Sequence, residues 1–200
     1  MVRRTKEEAE QTRDSLLAVA EQLFLEKGVA KTSLANIAKA AGVTRGAIYW
    51  HFADKDALFT AMHEQVKLPF DLLMEEAIAK DDPVEGLRVA TIKSLQNIVS
   101  DNRARSVFTI LVFRCEQNTA NVPRDQQCRT GVIDKLEKVI TKIHKQGKLT
   151  PTMNPQEAAH FLHCFMVGIF SDYVRNPKEY DLMKLAPVFV ETIFMGLFRG

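Results

Sequence analysis

Apolar residues recur at intervals of three and four positions along most of the chain, and this spacing places them on one face of an α-helix. Gly28 follows the first such segment at a position where helices commonly end. No segment alternates apolar and polar residues convincingly enough to predict a strand. The pattern therefore predicts an all-α fold. The apolar face of the first predicted helix consists of Leu16, Val19, Ala20, Leu23 and Phe24.

Capping residues and helix breakers divide the chain into about nine helices. Thr32 or Ser33 can cap a second helix, Thr44 a third and Asp54 a fourth, because short polar side chains satisfy the free amides of a first turn. Pro69 lies within the fourth predicted helix and should kink it. The fourth, fifth and sixth helices are predicted over about 55–79, 83–99 and 103–116, and a polar loop follows over 117–125. The seventh helix is predicted to end at 146, the eighth to span 155–174 and the ninth to run through about 198.

The turn AGVT between the second and third predicted helices is too short for these helices to lie antiparallel. Two short helices joined in this way must cross steeply, as in a helix-turn-helix. Ala38 is small where the helices approach, and Gly42 allows the positive φ that the turn needs. Ile37, Val43 and Ile48 supply the small core between the helices. The sequence therefore predicts a DNA-binding unit whose third helix enters the major groove.

The third predicted helix carries four consecutive rings, Tyr49 to Phe52, in the stretch TRGAIYWHF. A helix turns about 100° per residue, so these rings cannot all face one core. Ile48 and Phe52 are spaced to face inward, whereas Arg45 and Tyr49 lie toward the opposite side. Arg45 can hold O6 and N7 of a guanine through its forked guanidinium group. Trp50 is a DNA-contact candidate, with packing on a neighbouring helix as the alternative.

Small residues and hydroxyl groups complete the predicted contact surface. Gly46 and Ala47 let the backbone approach base edges, and Tyr49 and His51 can donate hydrogen bonds to phosphates, which fixes register without reading sequence. The free amides at the start of the second helix favour an anion. The full set of candidate DNA contacts is Thr32, Ser33, Thr44, Arg45, Gly46, Ala47, Tyr49, Trp50, His51 and Lys55.

Bulk charge makes no case for nucleic acid, since the net charge is only +2 at pH 7. The basic tip at residues 3–6 is either a solvated tail or an arm that reaches DNA. Three widely spaced cysteines without a CxxC motif argue for reduced thiols. The charged N-terminal segment argues against a signal peptide, and the apolar runs are too short to span a bilayer. We therefore expect a cytoplasmic protein.

The stretch TSLANIAKAAGVTRGAIYWHFADKDALF, residues 32–59, closely resembles the DNA-binding unit of TetR-family transcriptional regulators. The opening VRRTKEEAEQTR, and Cys115 and Glu116 after an apolar helix, are similar to the AcrR/TtgR-type branch, which represses multidrug efflux pumps. The resemblance implies a helix-turn-helix DNA-binding domain over 1–55 and a helical-bundle ligand-binding and dimerisation domain over 56–200. It also implies a dimer that binds a palindromic operator, through the same contact residues, and releases it when a ligand enters the second domain.

The implied ligand site lies among helices four to eight. Aromatic and methionine side chains with few polar groups suit flat, apolar ligands of varied chemistry, so we expect a hydrophobic or aromatic inducer and no cofactor. The alternative is an ordinary core without a cavity. The candidate ligand contacts are Lys67, Phe70, Met74, Thr91, Ser94, Phe108, Val112, His163, Met166, Val167 and Phe170.

The last two predicted helices contain the stretches AAHFLHCFMVGIF and LAPVFVETIFMGLF. These are too apolar to be left exposed on a monomer. Burial within one subunit is one explanation, but two consecutive helices that are apolar nearly all round favour an interface. The family resemblance implies a homodimer in which these two helices pair with their twofold mates.

Other function classes remain as alternatives. The chain could bind DNA without any small-molecule ligand. It could also respond to a metal, because Glu157, His160, His163 and Cys164 can share a helix face. A helix interface with locally satisfied rings is the preferred explanation of that spacing, because i, i+3 spacing is common and no further ligands are defined, so we predict no metal site. No GxSxG, P-loop, HExxH or dinucleotide-binding motif is present, so we predict no catalytic residues.

Overall fold

A computed structural model describes residues 6–114 and 122–199, and the side chains of all of these except 67, 68 and 122–129. This part of the chain forms nine α-helices and one π-helical segment, which confirms the all-α prediction. The described residues also contain an isolated antiparallel bridge between Leu149 and Phe198. The helices are α1 Lys6–Lys27, α2 Leu34–Ala40, α3 Arg45–His51, α4 Lys55–Ala79, α5 Pro83–Ser100, α6 Asn102–Thr109 with the π-helical segment Ile110–Arg114, α7 Val122–Lys145, α8 Pro155–Arg175 and α9 Leu182–Leu197.

Side-chain caps begin the short helices where the sequence predicts them. Ser33 caps α2 and forms a reciprocal capping box with Asn36. Thr44 caps α3 and accepts a hydrogen bond from the Ala47 amide. Asp54 accepts a hydrogen bond of 2.7 Å from the amide of Ala57 at the start of α4. Each cap satisfies an amide that has no partner within its helix, so local chemistry fixes these boundaries.

Two boundaries differ from the sequence prediction by more than one residue. The predicted helix over 103–116 ends as an α-helix at Thr109 and continues as the π-helical segment, while Cys115 and Glu116 lie outside the described residues. The predicted loop over 117–125 is wrong over 122–125, because α7 already begins at Val122, and residues 117–121 lie outside the described residues. Pro123 is compatible with this early start, since the first turn of a helix does not need its amide.

The chain divides into two compact units. The first unit falls within residues 1–66 and 106–118, so its described part includes α1 to α3, the first half of α4 and the π-helical segment. Leu16, Leu17 and Phe24 of α1 lie at the centre of its core. Val107 and Ile110 are buried in the same core. Val19 and Leu23, predicted on the buried face of α1, are half-buried and pack against this core.

The second unit falls within residues 67–105 and 119–200. In it α7 packs on α8, and α5 packs on α9, α7 and α8. Lys142 on α7 donates hydrogen bonds of 2.8 Å to the carbonyl groups of Ile78 and Lys80, which supplies partners to the C-terminal end of α4. None of the helices described is both long and apolar enough to cross a membrane.

Candidate nucleic-acid interface

The turn between α2 and α3 has the features that a helix-turn-helix needs. Gly42 adopts φ +68°, in the left-handed region that glycine enters without steric cost. Ile37 and Ile48 are fully buried between the helices, and Ala38 is buried where the backbones approach. The amide of Val43 donates to the carbonyl of Ala38 at 3.0 Å, which closes the turn. The short turn and its small core therefore hold α3 in a fixed orientation on α2.

One face of α3 is left open to solvent. Ile48 and Phe52 face the core, as their spacing predicts. Arg45 and Gly46 are exposed at the start of the helix, and Ala47 is half-buried. The guanidinium group of Arg45 therefore lies beside backbone that the small residues Gly46 and Ala47 leave accessible.

The aromatic side chains extend this exposed surface toward the end of α3. Tyr49 is 50% exposed and Trp50 is 74% exposed. The Trp50 ring meets the His51 ring edge to face, with centroids 4.6 Å apart. At this exposure Trp50 is not buried against a neighbouring helix of the described residues, which does not favour the packing alternative considered from the sequence. The His51 ring is half-buried and also meets the ring of the buried residue Phe52, with centroids 6.2 Å apart, so Trp50 is the more exposed ring of the pair.

Thr32 does not reach this surface. Its side chain is 2% exposed, and its hydroxyl donates to the carbonyl oxygen of Gly28 at 2.9 Å. The sequence could not separate Thr32 from Ser33, because either residue can cap α2. The structure gives the cap to Ser33, whose hydroxyl is exposed, and buries Thr32. The predicted phosphate contact through the Thr32 side chain is therefore not supported.

Lys55 also has intramolecular partners. Its Nζ donates to the carbonyl oxygens of Val29 at 2.7 Å and Thr32 at 3.2 Å. These two carbonyl groups lie in the loop between α1 and α2. The sequence suggested a free cation near phosphate, because Lys55 begins α4, but nothing in the local pattern indicated that this loop folds back against it.

A surface cleft of about 380 Å³ opens beside the predicted contacts. Its lining includes Lys31, an exposed cation that the sequence analysis did not single out. The contact that Arg13 of α1 makes near α3 was also not predicted. Its guanidinium carbon lies 5.5 Å from the centre of the Phe52 ring. A contact between residues so far apart in sequence leaves no signal in local spacing. The cleft is lined by Ala30, Lys31, Thr32, Ser33, Leu34, Tyr49, Ala53, Asp54 and Lys55.

None of the predicted ligand contacts lines this cleft or the second one described. A second cleft, of about 480 Å³, is lined by Ile78, Asp134, Glu137, Lys138 and Thr141, none of which is a predicted contact. In the second unit Met74, Thr91 and Met166 are buried, and the half-buried candidates are Phe70, Ser94, His163, Val167 and Phe170. The side chain of Lys67 lies outside the described set.

Phe108 and Val112 belong to the first unit. Phe108 is half-buried, whereas Val112 is 42% exposed, so its predicted inward orientation is wrong. The π-helical segment explains this. Its wider i to i+5 turn rotates later side chains away from the positions that an α-helix would give them.

The acidic and histidine side chains at the start of α8 have structural roles. Glu157 accepts from the backbone amide of Asn154 at 2.8 Å in a reciprocal capping box. The Nδ1 atom of His160 lies 2.9 Å from the carbonyl oxygen of Gln156. Among the described residues, no three His, Cys, Asp or Glu side chains are grouped so that they could hold a metal ion.

Two family profiles match consecutive parts of the chain. Residues 16–62 match the profile of bacterial regulatory proteins of the tetR family. Residues 82–198 match the C-terminal region of MAATS-type transcriptional repressors. The first match covers the predicted helix-turn-helix, and the second covers more than half of the chain.

Individual relatives align over nearly the whole chain. The chain is 35% identical to the HTH-type transcriptional regulator AcrR of Shigella flexneri, over 95% of this chain and 91% of that protein. It superposes with a TM-score of 0.86 on NalD, the secondary repressor of the MexAB-OprM multidrug efflux pump in Pseudomonas aeruginosa, at 38% identity over 97% and 99% of the two chains. A complex of SmeT, the repressor of the Stenotrophomonas maltophilia pump SmeDEF, with triclosan gives a TM-score of 0.82 at 31% identity, over 94% and 92%.

Proposed function

Since this chain belongs to the TetR family of bacterial regulatory proteins, we propose that it is a repressor that binds a palindromic operator as a homodimer and leaves it when a small molecule binds. We further propose that the genes it controls encode a multidrug efflux pump. The relatives AcrR, NalD and SmeT are named as regulators or efflux repressors, and they align over almost the full chain. Its operator would lie on cytoplasmic DNA. Family membership makes it a regulator rather than an enzyme.

The observation that carries this proposal is that one face of α3 is exposed, while its other face packs in the buried core of the helix-turn-helix. Arg45 is exposed in the first turn of α3, the part of a recognition helix that meets base edges in the major groove. Its guanidinium fork matches O6 and N7 of guanine. Tyr49, Trp50 and His51 lie further along the helix, where hydroxyl and ring N–H groups suit phosphate oxygens. Ser33 and Thr44, exposed at the starts of α2 and α3, complete the proposed contacts.

The exposed apolar residues of the last two helices support a homodimer. Phe161 on α8 is 43% exposed, and Val188 and Met195 on α9 are 56% and 74% exposed. Val188 and Met195 are seven residues apart, so they lie on the same side of α9. Large apolar side chains at this exposure are costly to leave in water. We propose that α8 and α9 of one subunit pack against the same helices of the other, which sets two recognition helices about 34–36 Å apart on DNA.

The inducer we propose is a hydrophobic or aromatic small molecule bound in the second unit. The relative SmeT forms a complex with triclosan, which is a compound of this kind. Phe70 and Met74 on α4 and Met166 and Phe170 on α8 would supply apolar contacts. Ser94 and His163 would supply polar ones. Methionine side chains adapt to ligands of different shape, which suits a sensor of varied compounds.

The first experiment is a titration of the purified protein into fluorescent DNA from upstream of its own gene, followed by addition of triclosan and a panel of aromatic drugs and dyes. We expect tight binding that weakens with salt, because phosphate contacts release counterions. We expect at least one compound to release the DNA. Binding that no compound changes would contradict the inducer proposal and support a DNA-binding protein without a ligand.

A metal-responsive regulator is the remaining alternative, and the same assay tests it. Binding of DNA that chelator abolishes and added zinc restores would contradict the small-molecule proposal. We expect chelator to have no effect, because Glu157 and His160 already hydrogen bond to their own helix at Asn154 and Gln156.

A further inference from the structure

The second half of α4 is held against α7 by polar contacts. Lys135 of α7 forms an ion pair with Asp71 of α4, and both side chains are half-buried, so solvent screens this pair less than an exposed one. Further along, Lys142 of α7 donates to the carbonyl oxygens of Ile78 and Lys80, where α4 ends. Lys135 and Lys142 are seven residues apart and therefore project from the same face of α7. This face thus holds α4 near both ends of its C-terminal half.

Two further contacts lie beyond the end of α4 and hold the start of α5 instead. Nε2 of Gln146 donates to the carbonyl oxygen of Asp81 at 3.4 Å, and Nζ of Lys148 lies 3.2 Å from Oδ1 of Asp82. Asp82 is the cap of α5. The ion pairs at Asp71 and Asp82 are thus chemically alike but hold different helices. Lys148 therefore offers a control in which a similar ion pair is lost without releasing α4.

Asp71 lies between two proposed inducer contacts of α4 and close to its proline. It directly follows Phe70, and Met74 is buried about one turn further along the helix. Pro69 precedes Asp71 by two residues and removes one donor from the helix ladder, so α4 bends most easily just before Asp71. A displacement of α4 that begins at Met74 must therefore pass Asp71 before it reaches Pro69.

The helix α7 also packs on α8, which carries other proposed inducer contacts. Among these, Met166 is buried and Phe170 is half-buried. On its other contact, α7 holds α4 through Lys135. An inducer that displaces α8 can therefore act on α4 through α7, provided that the ion pair between Lys135 and Asp71 keeps the two helices together.

We propose that the Asp71–Lys135 ion pair is a latch that makes α4 move together with α7, so that inducer binding in the second unit is transmitted past Pro69 toward the DNA-binding unit. The inference rests on the proposed function, an inducer-released repressor, and names two residues that couple its two sites. Without the latch, α4 stays held at Ile78 and Lys80, but the turns that follow Asp71 yield and absorb the displacement. The coupling between the two sites should then weaken, while each site still binds its own ligand.

Lys135→Met tests the latch from α7, where no inducer contact is proposed. Fluorescence anisotropy with the upstream DNA fragment gives the operator affinity with and without saturating triclosan. We expect the factor by which triclosan weakens operator binding to fall about fivefold or more, because a coupling free energy is lost. Operator affinity without triclosan, and triclosan affinity without DNA, should keep their wild-type values. An unchanged or larger factor would overturn the proposal, and so would a loss of triclosan affinity that accounts for the whole effect.

Further variants test whether the effect belongs to this ion pair. Asp71→Asn should weaken the coupling as Lys135→Met does, and the double variant should be no worse than either, because all three lose the same interaction. Additive losses would contradict the latch. Lys135→Arg keeps the charge and should keep the wild-type response. Lys148→Met is the matched control, since it breaks the ion pair with Asp82 at the start of α5. Reduced coupling in this control would indicate a general loosening of the second unit and overturn the proposal.

Amide hydrogen exchange tests the latch without DNA or inducer. In Lys135→Met the amides of residues 73–77 in α4 should exchange at least about tenfold faster, because this part of the helix opens locally, while amides in the middle of α5 keep their wild-type rates. Wild-type exchange over 73–77 would contradict the proposal. If Lys135→Met does not fold, Asp71→Asn takes its place. If triclosan failed to release DNA from the wild-type protein, the proposed function would be in question, and the exchange rates would still decide whether the ion pair holds α4.

Discussion

Ile48 and Trp50 stand two residues apart on α3 and face opposite environments. Ile48 is fully buried between α2 and α3, whereas Trp50 is the most exposed aromatic side chain of this helix. A helix rotates successive residues by about 100°, so two steps carry the side chain to the far side. This short helix therefore keeps its stabilising contacts and its exposed rings on separate faces.

The separation of the two faces predicts opposite effects of truncation. Trp50→Ala should weaken operator binding by about 1–3 kcal/mol, because it removes a contact with DNA, and should leave the thermal unfolding midpoint nearly unchanged. Ile48→Ala should lower the free energy of unfolding by about 2–5 kcal/mol, because it opens a cavity in a small core. DNA titration and thermal unfolding of both variants check this. Loss of stability in Trp50→Ala comparable to that in Ile48→Ala would refute the assignment.

Gly86 is required by a close contact between α4 and α5. A Cβ atom at this position would lie 2.8 Å from the carbonyl oxygen and 2.9 Å from the Cα atom of Ala77. Gly86→Ala should therefore lower the free energy of unfolding by about 1–3 kcal/mol, as expected for an overpacked backbone contact. Gly131→Ala is the matched control, because a Cβ there meets no atom of the described residues within 4 Å. It should be neutral or raise stability by up to about 1 kcal/mol. Denaturant unfolding measures both.

The sequence was sufficient for those parts of the fold that depend on local chemistry. The cap of α3 at Thr44, the cap of α4 at Asp54 and the glycine turn at Gly42 each follow from one side chain and its nearest neighbours. The inward face formed by Ile48 and Phe52 follows from helix period alone. These features place the helix-turn-helix and its exposed surface before any tertiary contact is known.

Contacts between distant segments could not be predicted in this way. Lys55 meets carbonyl groups more than twenty positions earlier in the chain, so its role depends on how the loop between α1 and α2 folds. The end of the π-helical segment is held by a hydrogen bond from the amide of Val29 to the carbonyl oxygen of Arg114. No pattern within residues 102–114 distinguishes this segment from an α-helix. The inward orientation predicted for Val112 is wrong for this reason. The apolar pattern of the second unit identified helices but could not separate a ligand site from a core.

The proposed dimer interface is tested by introducing charge on α9. Val188→Glu combined with Met195→Glu should raise the dissociation constant of the dimer by about a hundredfold or more, because an unpaired charge in an interface is strongly unfavourable. Analytical ultracentrifugation would report a monomer. Leu72→Glu on α4 is the control, since Leu72 is also half exposed and lies outside α8 and α9. Equal dissociation in both proteins would argue against the α8–α9 interface.

Tyr180 predicts a stability loss at alkaline pH. Burial, together with a hydrogen bond to Asp172, raises the pKa of Tyr180 from its ordinary 10 to about 12. The fold thus favours the neutral phenol. This contribution to stability is fully present below pH 10 and is lost as the pH rises through about 12. Tyr180→Phe should remove this decline, and ultraviolet absorbance should lose one phenol that titrates near 12. An unaltered alkaline titration in the variant would show that another group is responsible.

Pro69 lies in α4 just after the point where the chain passes from the first unit to the second. Proline lacks the amide that would donate to the fourth preceding carbonyl, so it interrupts the helix ladder and should kink α4. If a ligand in the second unit acts on the recognition helices, α4 is a covalent path for that effect. Pro69→Ala restores the ladder and should stiffen the helix. We therefore expect operator affinity close to the wild-type value and a response to inducer that is reduced about tenfold or more.

The control for Pro69→Ala is Pro187→Ala, because Pro187 also interrupts a helix but lies wholly within the second unit. Both substitutions should stabilise their helices, by up to about 3 kcal/mol, so stability alone cannot separate them. Only Pro69→Ala should shift the inducer concentration that releases DNA, measured by fluorescence anisotropy with the same DNA fragment. An inducer response in Pro69→Ala equal to that of the wild type would exclude a kinked α4 as the moving part. Release of DNA would then have to pass through packing contacts rather than along the helix.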